Sequence, residues 1–359
     1  MKRRTILFTL ILFLSFAVVS HANSDICEII PEEISSEFNL DNVDDKPESI
    51  LTAFSFANVA NLIFDNIKDS FPLFIKLIAE ILLILILLVI AQQLAQSSTL
   101  KIYQFISSCL GSAILTLVLI HRFANACTLI ENNLQTIKVF CNASIPIITS
   151  FLITTGKNFA ATLFSYGISL SGSLIAVLTN DVCMPLLRIY IAIGCCGTIW
   201  TDLNFSALTD LIKKMIQWTI GVIFSVFTFT FSVQSVLSRS ADNIARKTLK
   251  TAAAGIPFLG SVLSQGMDGA FILISGAKNS AAIIGVGVIT AMFIGPAIQI
   301  ILQIFALRIS QTLAQLFGAE SCGLVLKTVC GAYELMLGLF LVSVLMSNIC
   351  FLMICVGAN

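Results

Sequence analysis

The residues able to do chemistry are few and scattered. Three carboxylates, Glu80, Asp268 and Glu334, fall inside or beside long apolar stretches, and Arg188 sits within another. An ionisable side chain at membrane depth should face protein or water, where such groups pair with one another or mark ion and substrate paths. Lys76 stands one helical turn before Glu80 on the same face. Otherwise no base accompanies these carboxylates at a useful spacing. Glu80 has two readings, a group turned into protein or one snorkelling to the outer surface. Asp268, in SQGMDGA, suits a turn or re-entrant tip.

His121 has no Cys, Asp or Glu at ligand spacing and reads as an interfacial side chain. The 11 cysteines lie mostly inside apolar runs and form no CxxC pair, so they read as small packing residues. The odd count leaves Cys27 as a lone thiol. No Walker A, GxGxxG, HExxH or GxSxG sequence occurs. The expectation is a protein that is not an enzyme and holds no metal or cofactor.

What must position these groups is set by composition. The chain has 359 residues, 57% of them hydrophobic and only 11% charged, with a mean hydropathy of +0.97. A soluble domain is about 25% charged. This chain therefore reads as an all-α, polytopic integral membrane protein. Its net charge of zero conceals an acidic segment, residues 23–70, followed by a body in which basic residues prevail. The bases are spread singly along the spans, which argues against a nucleic-acid partner and for membrane flanks.

Residues 1–22 read as a secretory signal peptide: Lys2, Arg3 and Arg4, an apolar core, then Ser20-His21-Ala22. An uncleaved signal anchor is the alternative; both place residues 23–70 outside the cytoplasm. The second half of that segment has apolar residues at helical spacing, an amphipathic helix. The polytopic body, residues 71–359, divides into about seven spans: 72–96, 102–124, 159–179, 182–200, 215–237, 281–305 and 331–356. The spacing of Ser165, Ser169 and Ser173 predicts a stripe for close helix packing. Phe and Thr alternate in FSVFTFTFS, but an open strand would leave backbone groups unpaired in lipid, so a helix is expected. Residues 127–141 and 202–217 read as amphipathic interfacial helices, and 306–327 as a polar connection.

Two short segments do not fit a simple count. One runs from Ile145-Pro146 to Gly156, too short to span as helix. The other lies in residues 239–278, where a basic collar (Arg246, Lys247, Lys250) leads into an apolar piece broken by Pro257 and Gly260. Both are expected to be re-entrant. From Ile102 the elements come twice, which suggests an inverted repeat with halves 102–200 and 215–356, the pattern of a central site or pore in transporters. Chance recurrence of Ile-Pro is the competing reading. Seven crossings place the mature N-terminus outside, the C-terminus inside and the 239–278 collar in the cytoplasm, but leave Lys213-Lys214 outside, against the positive-inside rule. The collar reads either as a partner surface or as lipid-headgroup anchoring.

The stretch from Leu208 to Lys278 carries a resemblance: LTDLIKKMIQW, SVQSVLSRSAD, Lys247 and Lys250 after Asp242, and IPFLGSVLSQGMD. It resembles the stage III sporulation protein AE family of endospore-forming bacteria, over nearly the whole chain. The family usually has arginine at the position of Lys247 and glycine at that of Asn243. The resemblance implies a multi-pass component of the complex linking mother cell and forespore, in the mother-cell or outer forespore membrane. Its implied partners are other stage III proteins: a cytoplasmic secretion-type ATPase, ring-forming components between the membranes, and a forespore-side partner. No catalytic residues carry over. The rival functions are an autonomous secondary transporter, or a scaffold without a pore.

Overall fold

The computed structural model describes residues 56–96, 101–154, 158–199, 205–238 and 280–357. The signal peptide, most of the acidic segment, Gly156, and the whole collar with Arg246, Lys247, Lys250, Pro257, Gly260 and Asp268 lie outside the described residues.

Helix α1 is Phe56–Gln96 and α2 is Lys101–Thr154. Helix α3, Asn158–Ala176, runs through a π-helical stretch, Val177–Cys183, into α4, Met184–Ile199. Helices α5, Ser206–Ser238, α6, Ser280–Leu316, and α7, Glu320–Gly357, complete the bundle. No strand occurs among the described residues. The FSVFTFTFS run is helix, as expected. Three of its hydroxyls fold back on the helix's own carbonyls, Thr228 to Phe224 O, Thr230 to Val226 O and Ser232 to Thr228 O.

Among the described residues six helices are long and apolar enough to cross a membrane, against the about seven spans the sequence suggested. The difference comes from fusion. The amphipathic helix before residue 71 and the first span are one helix through Pro72. The span at 102–124, the amphipathic helix at 127–141 and the short segment from Ile145 are all α2, 54 residues with Pro146 inside it. Residues Ile145–Thr154 are thus the last turns of a continuous helix and not a re-entrant piece. The spans at 159–179 and 182–200 join through the π-helical stretch, and the polar TNDV passage is absorbed without a turn. The 202–217 and 215–237 elements are both α5 from Ser206 onward. The connection expected at 306–327 shrinks to residues 317–319, because α6 runs on to Leu316. That turn is closed by Ala319 N–H to Ala314 O at 2.9 Å and Gly318 N–H to Gln315 O at 3.1 Å, with Gly318 at φ +73°, a left-handed cap that glycine enters freely. Prolines and polar residues mark breaks in soluble helices, yet packed membrane helices tolerate them where neighbours satisfy the freed groups. Among the described residues 101–199 folds into two continuous runs of helix and 206–357 into three, and the short segment expected to pair with Ile145-Pro146 lies outside them.

Contacts fix the directions. Glu80 meets Arg122 and Leu88 meets Gly111, so α1 and α2 are antiparallel. Phe123 packs on Tyr333 and Phe140 on Phe351, so α2 and α7 are parallel. Phe164 reaches Phe351 while Gly194 reaches Thr328, so α3 and α4 run against α7. Gly167 meets Phe231 and Gly197 meets Phe205, so α5 runs against α3 and α4. Gly285 meets Phe351 and Phe293 meets Phe340, so α6 and α7 form an antiparallel hairpin. The helices alternate in direction throughout. The start of α1 and the end of α7 therefore share one end of the bundle, instead of opposite sides as seven crossings require. The chain also leaves α5 at Ser238 and enters α6 at Ser280 at that end. Lys213, Lys214 and Lys327 stand toward the opposite end.

Helix α7 is the axis: 78% of its most apolar window is buried, against 22% for α1. Phe140, Phe164 and Phe351 are each at most 2% exposed and form an aromatic cluster near its C-terminal end.

Candidate functional site

Each charged residue singled out inside the membrane region and described in the structure has a partner on another helix. Glu80 on α1 accepts from Arg122 on α2, whose Nη2 lies 2.7 Å from both carboxylate oxygens. Glu334 on α7 accepts from Arg308 on α6. Arg188 on α4 lies 3.6 Å from Glu131 on α2. Glu80 is therefore turned into protein, toward α2 and not toward Lys76, and the snorkelling alternative falls.

Glu80–Arg122 and Glu334–Arg308 stand at one height, whereas Glu131 lies further along α2 than Arg122 by roughly 13 Å and the Arg188 side chain spans toward it. Arg122 precedes Phe123, whose ring meets Tyr333 edge-on at 5.3 Å, and Glu334 follows Tyr333. Arg188 is two residues before Tyr190, whose hydroxyl lies 2.8 Å from where a Cβ on Gly331 would sit. The result is a belt around the axis helix that begins near Tyr333 and is about two and a half helical turns deep. Each pair is partly open, with exposures of 28% and 32% for Arg122 and Glu80, and 67% for Arg188. Ionised groups at this depth are costly unless paired. Pairing neutralises each charge and pins one helix against another, because a slip of one residue would leave both ends unpaired.

Sequence reasoning singled out Glu80, Arg188 and Glu334 as charges among apolar residues but missed Arg122, Glu131 and Arg308 as their partners. Two signals were available. Glu80 and Arg122 stand at similar distances either side of the 97–100 connection, and Arg308 and Glu334 flank the 317–319 turn. An antiparallel hairpin brings such residues to one height. Glu131 and Arg188 meet only through the tertiary fold.

A second polar device involves Pro296. Proline lacks an N–H, so the carbonyl four residues earlier, Met292 O, loses its helical partner. Asn133 of α2 fills the gap: its Nδ2 donates to Met292 O at 3.0 Å. Nearby, Asn348, the interior amide of the last helix, donates to Thr290 Oγ1 at 3.5 Å. Pro146 was expected to bound a re-entrant segment and instead lies exposed within α2.

The serine stripe is not a packing face. Ser169 and Ser173 are exposed and Ser165 half-buried; Gly167 and Ser171, two residues on and so on the opposite face, carry the packing. Thr149, Ile153, Ala161, Thr162, Ser165, Tyr166 and Ser169 instead line an open cleft of about 540 Å³ between the end of α2 and the start of α3. Among the described residues no group of His, Cys, Asp and Glu side chains converges as a metal site, and the cysteines there are free thiols.

An alternating bundle with six membrane-length helices among the described residues, tied by ion pairs between helices, defines a multi-pass α-helical membrane protein. Within that class the chain belongs to the stage III sporulation protein AE family, whose sequence model matches residues 43–358. It is similar to the stage III sporulation protein AE of Bacillus subtilis (strain 168), 22% identical over 244 residues, covering 68% of this chain and 61% of that protein. The chain thus matches less than two thirds of that relative's length. No solved structure matches.

Proposed function

We propose that this sporulation protein is the membrane component of a channel or secretion-like complex joining mother cell and forespore. The observation that carries the reading is the belt of paired charges, Glu80–Arg122, Glu131–Arg188 and Glu334–Arg308, inside a bundle of membrane-length helices. Keeping six ionised groups at that depth has a cost that simple anchoring does not call for. No catalytic constellation accompanies them among the described residues, so energy for transport comes from an ATPase partner.

The reading assigns the partner surfaces from the two ends of the bundle. With residues 1–22 taken as a secretory leader, the end where α1 begins lies outside the cytoplasm. The helix ends that bracket the collar, Ser238 and Ser280, share that end, which on this reading is the side of the ring-forming components between the membranes. The ATPase meets the opposite end, where Lys213, Lys214 and Lys327 stand, in agreement with the positive-inside rule. The test is isolation of the tagged full chain from sporulating cells. Recovery of other stage III proteins supports the reading; their complete absence overturns it and leaves an autonomous transporter.

A further inference from the structure

The outward face of α2 changes character at His121. Above it the exposed residues are Leu110, Ile114, Leu117 and Ile120. Below it, on the same face, they are His121, Asn125, Thr128, Asn132, Gln135 and Thr136. The face then continues at helical spacing through Val139, 57% exposed, Asn142 and Pro146 to Thr149 and Ile153, in the cleft shared with α3.

This polar face lies at a height where another helix is lipid-like. Phe140 and Phe164 both pack on Phe351, and Gly167, one turn from Phe164, meets Phe231 of α5. Residues near 135–140 of α2 and 226–231 of α5 therefore share a height. There α5 exposes Val226 at 51% and Phe229 at 50%. An apolar surface of that kind faces acyl chains, whereas a row of amides and hydroxyls in acyl chains would forfeit its hydrogen bonds. At about the same height α1 exposes Lys68 and Asp69, so the bundle is apolar on its α5 side and polar on its α1–α2 side.

We propose that the outward face of α2 from His121 to Thr136 lines a water-filled path within the membrane, opening into the cleft between α2 and α3. Its occupant is water with hydrated polar solutes. The Glu131–Arg188 pair lies at its edge, and Arg188, 67% exposed, reaches into it. The inference rests on the channel reading and deepens it by naming the wall.

Spin labels on single cysteines test this in the full chain reconstituted in liposomes. The seven buried native cysteines stay, and Cys27, Cys109, Cys196 and Cys355 are replaced. Labels go at Asn125, Thr128, Asn132 and Gln135, and at Val226 and Phe229 as same-height references. Collision with a water-soluble nickel chelate should dominate at the α2 positions, with oxygen dominating at Val226 and Phe229. A further series through residues 128–136 should oscillate with helical period, buried Ile130 and Leu134 showing neither. Oxygen-dominated collision at the α2 positions overturns the proposal. So does chelate-dominated collision at Phe229, because that height would then lie outside the bilayer. These readings need no partner protein. A watery α2 face with no co-isolated stage III proteins would keep the path and reject the complex.

Discussion

Glu80 and Arg122 are joined across the α1–α2 hairpin by one guanidinium nitrogen, 2.7 Å from each carboxylate oxygen. The contact ties the least buried helix of the bundle to its neighbour at mid-height. Glu80→Gln or Arg122→Gln should lower stability by about 2 kcal/mol, since each leaves a charge without its partner. The double change Glu80→Leu with Arg122→Leu should be milder than the sum of Glu80→Leu and Arg122→Leu taken singly. Thermal unfolding in detergent measures both; strict additivity would show that the pair is not coupled.

Asn133 and Pro296 should behave as one unit. Asn133→Leu removes the donor to Met292 O and should cost about 1 kcal/mol or more. In a Pro296→Ala background the restored N–H of residue 296 takes over that carbonyl, so the same change should cost less. A double-mutant cycle on the unfolding midpoint reads the difference.

Gly285 admits α6 to α7. A Cβ there would lie 1.9 Å from Phe351 Cδ1, and Phe351 is held between Phe140 and Phe164 and cannot step aside. Gly285→Ala should therefore destabilise by about 2 kcal/mol through overpacking. Gly285→Ala with Phe351→Leu should recover part of the loss in the same unfolding assay.

Arg188 separates stability from function. Its side chain is 67% exposed and 3.6 Å from Glu131, so the pair should contribute about 0–1 kcal/mol. Arg188→Met should insert and unfold almost normally, yet lower the yield of heat-resistant spores if the belt serves transport. An unchanged yield would favour a scaffold without a pore.

Sidedness follows from the alternation of helices. A cysteine at Lys214 and one at Arg246 should label on opposite sides of the membrane, Arg246→Cys in intact cells and Lys214→Cys only after permeabilisation. Labelling of both in intact cells would contradict the six alternating crossings.

The sequence by itself determined the class and the family. Low charge and long apolar runs permit nothing but helix in lipid, and FSVFTFTFS was legible as helix for that reason. It also located Glu80, Arg188 and Glu334 as costly charges, because a charge among apolar residues is conspicuous wherever it folds. Helix length and partnership were decided elsewhere. Pro72, Pro146 and the TNDV passage look like ends in a local window, and whether a helix survives them depends on what packs against it. Asn133 accepting the duty left by Pro296, and Glu131 meeting Arg188, join residues far apart in the chain. The outward face of α2 shows the same limit: His121 to Thr136 reads as an interfacial helix until Phe140, Phe351 and Phe231 place it beside the apolar wall of α5. Local spacing fixes which residues share a face, and only tertiary packing fixes what that face meets.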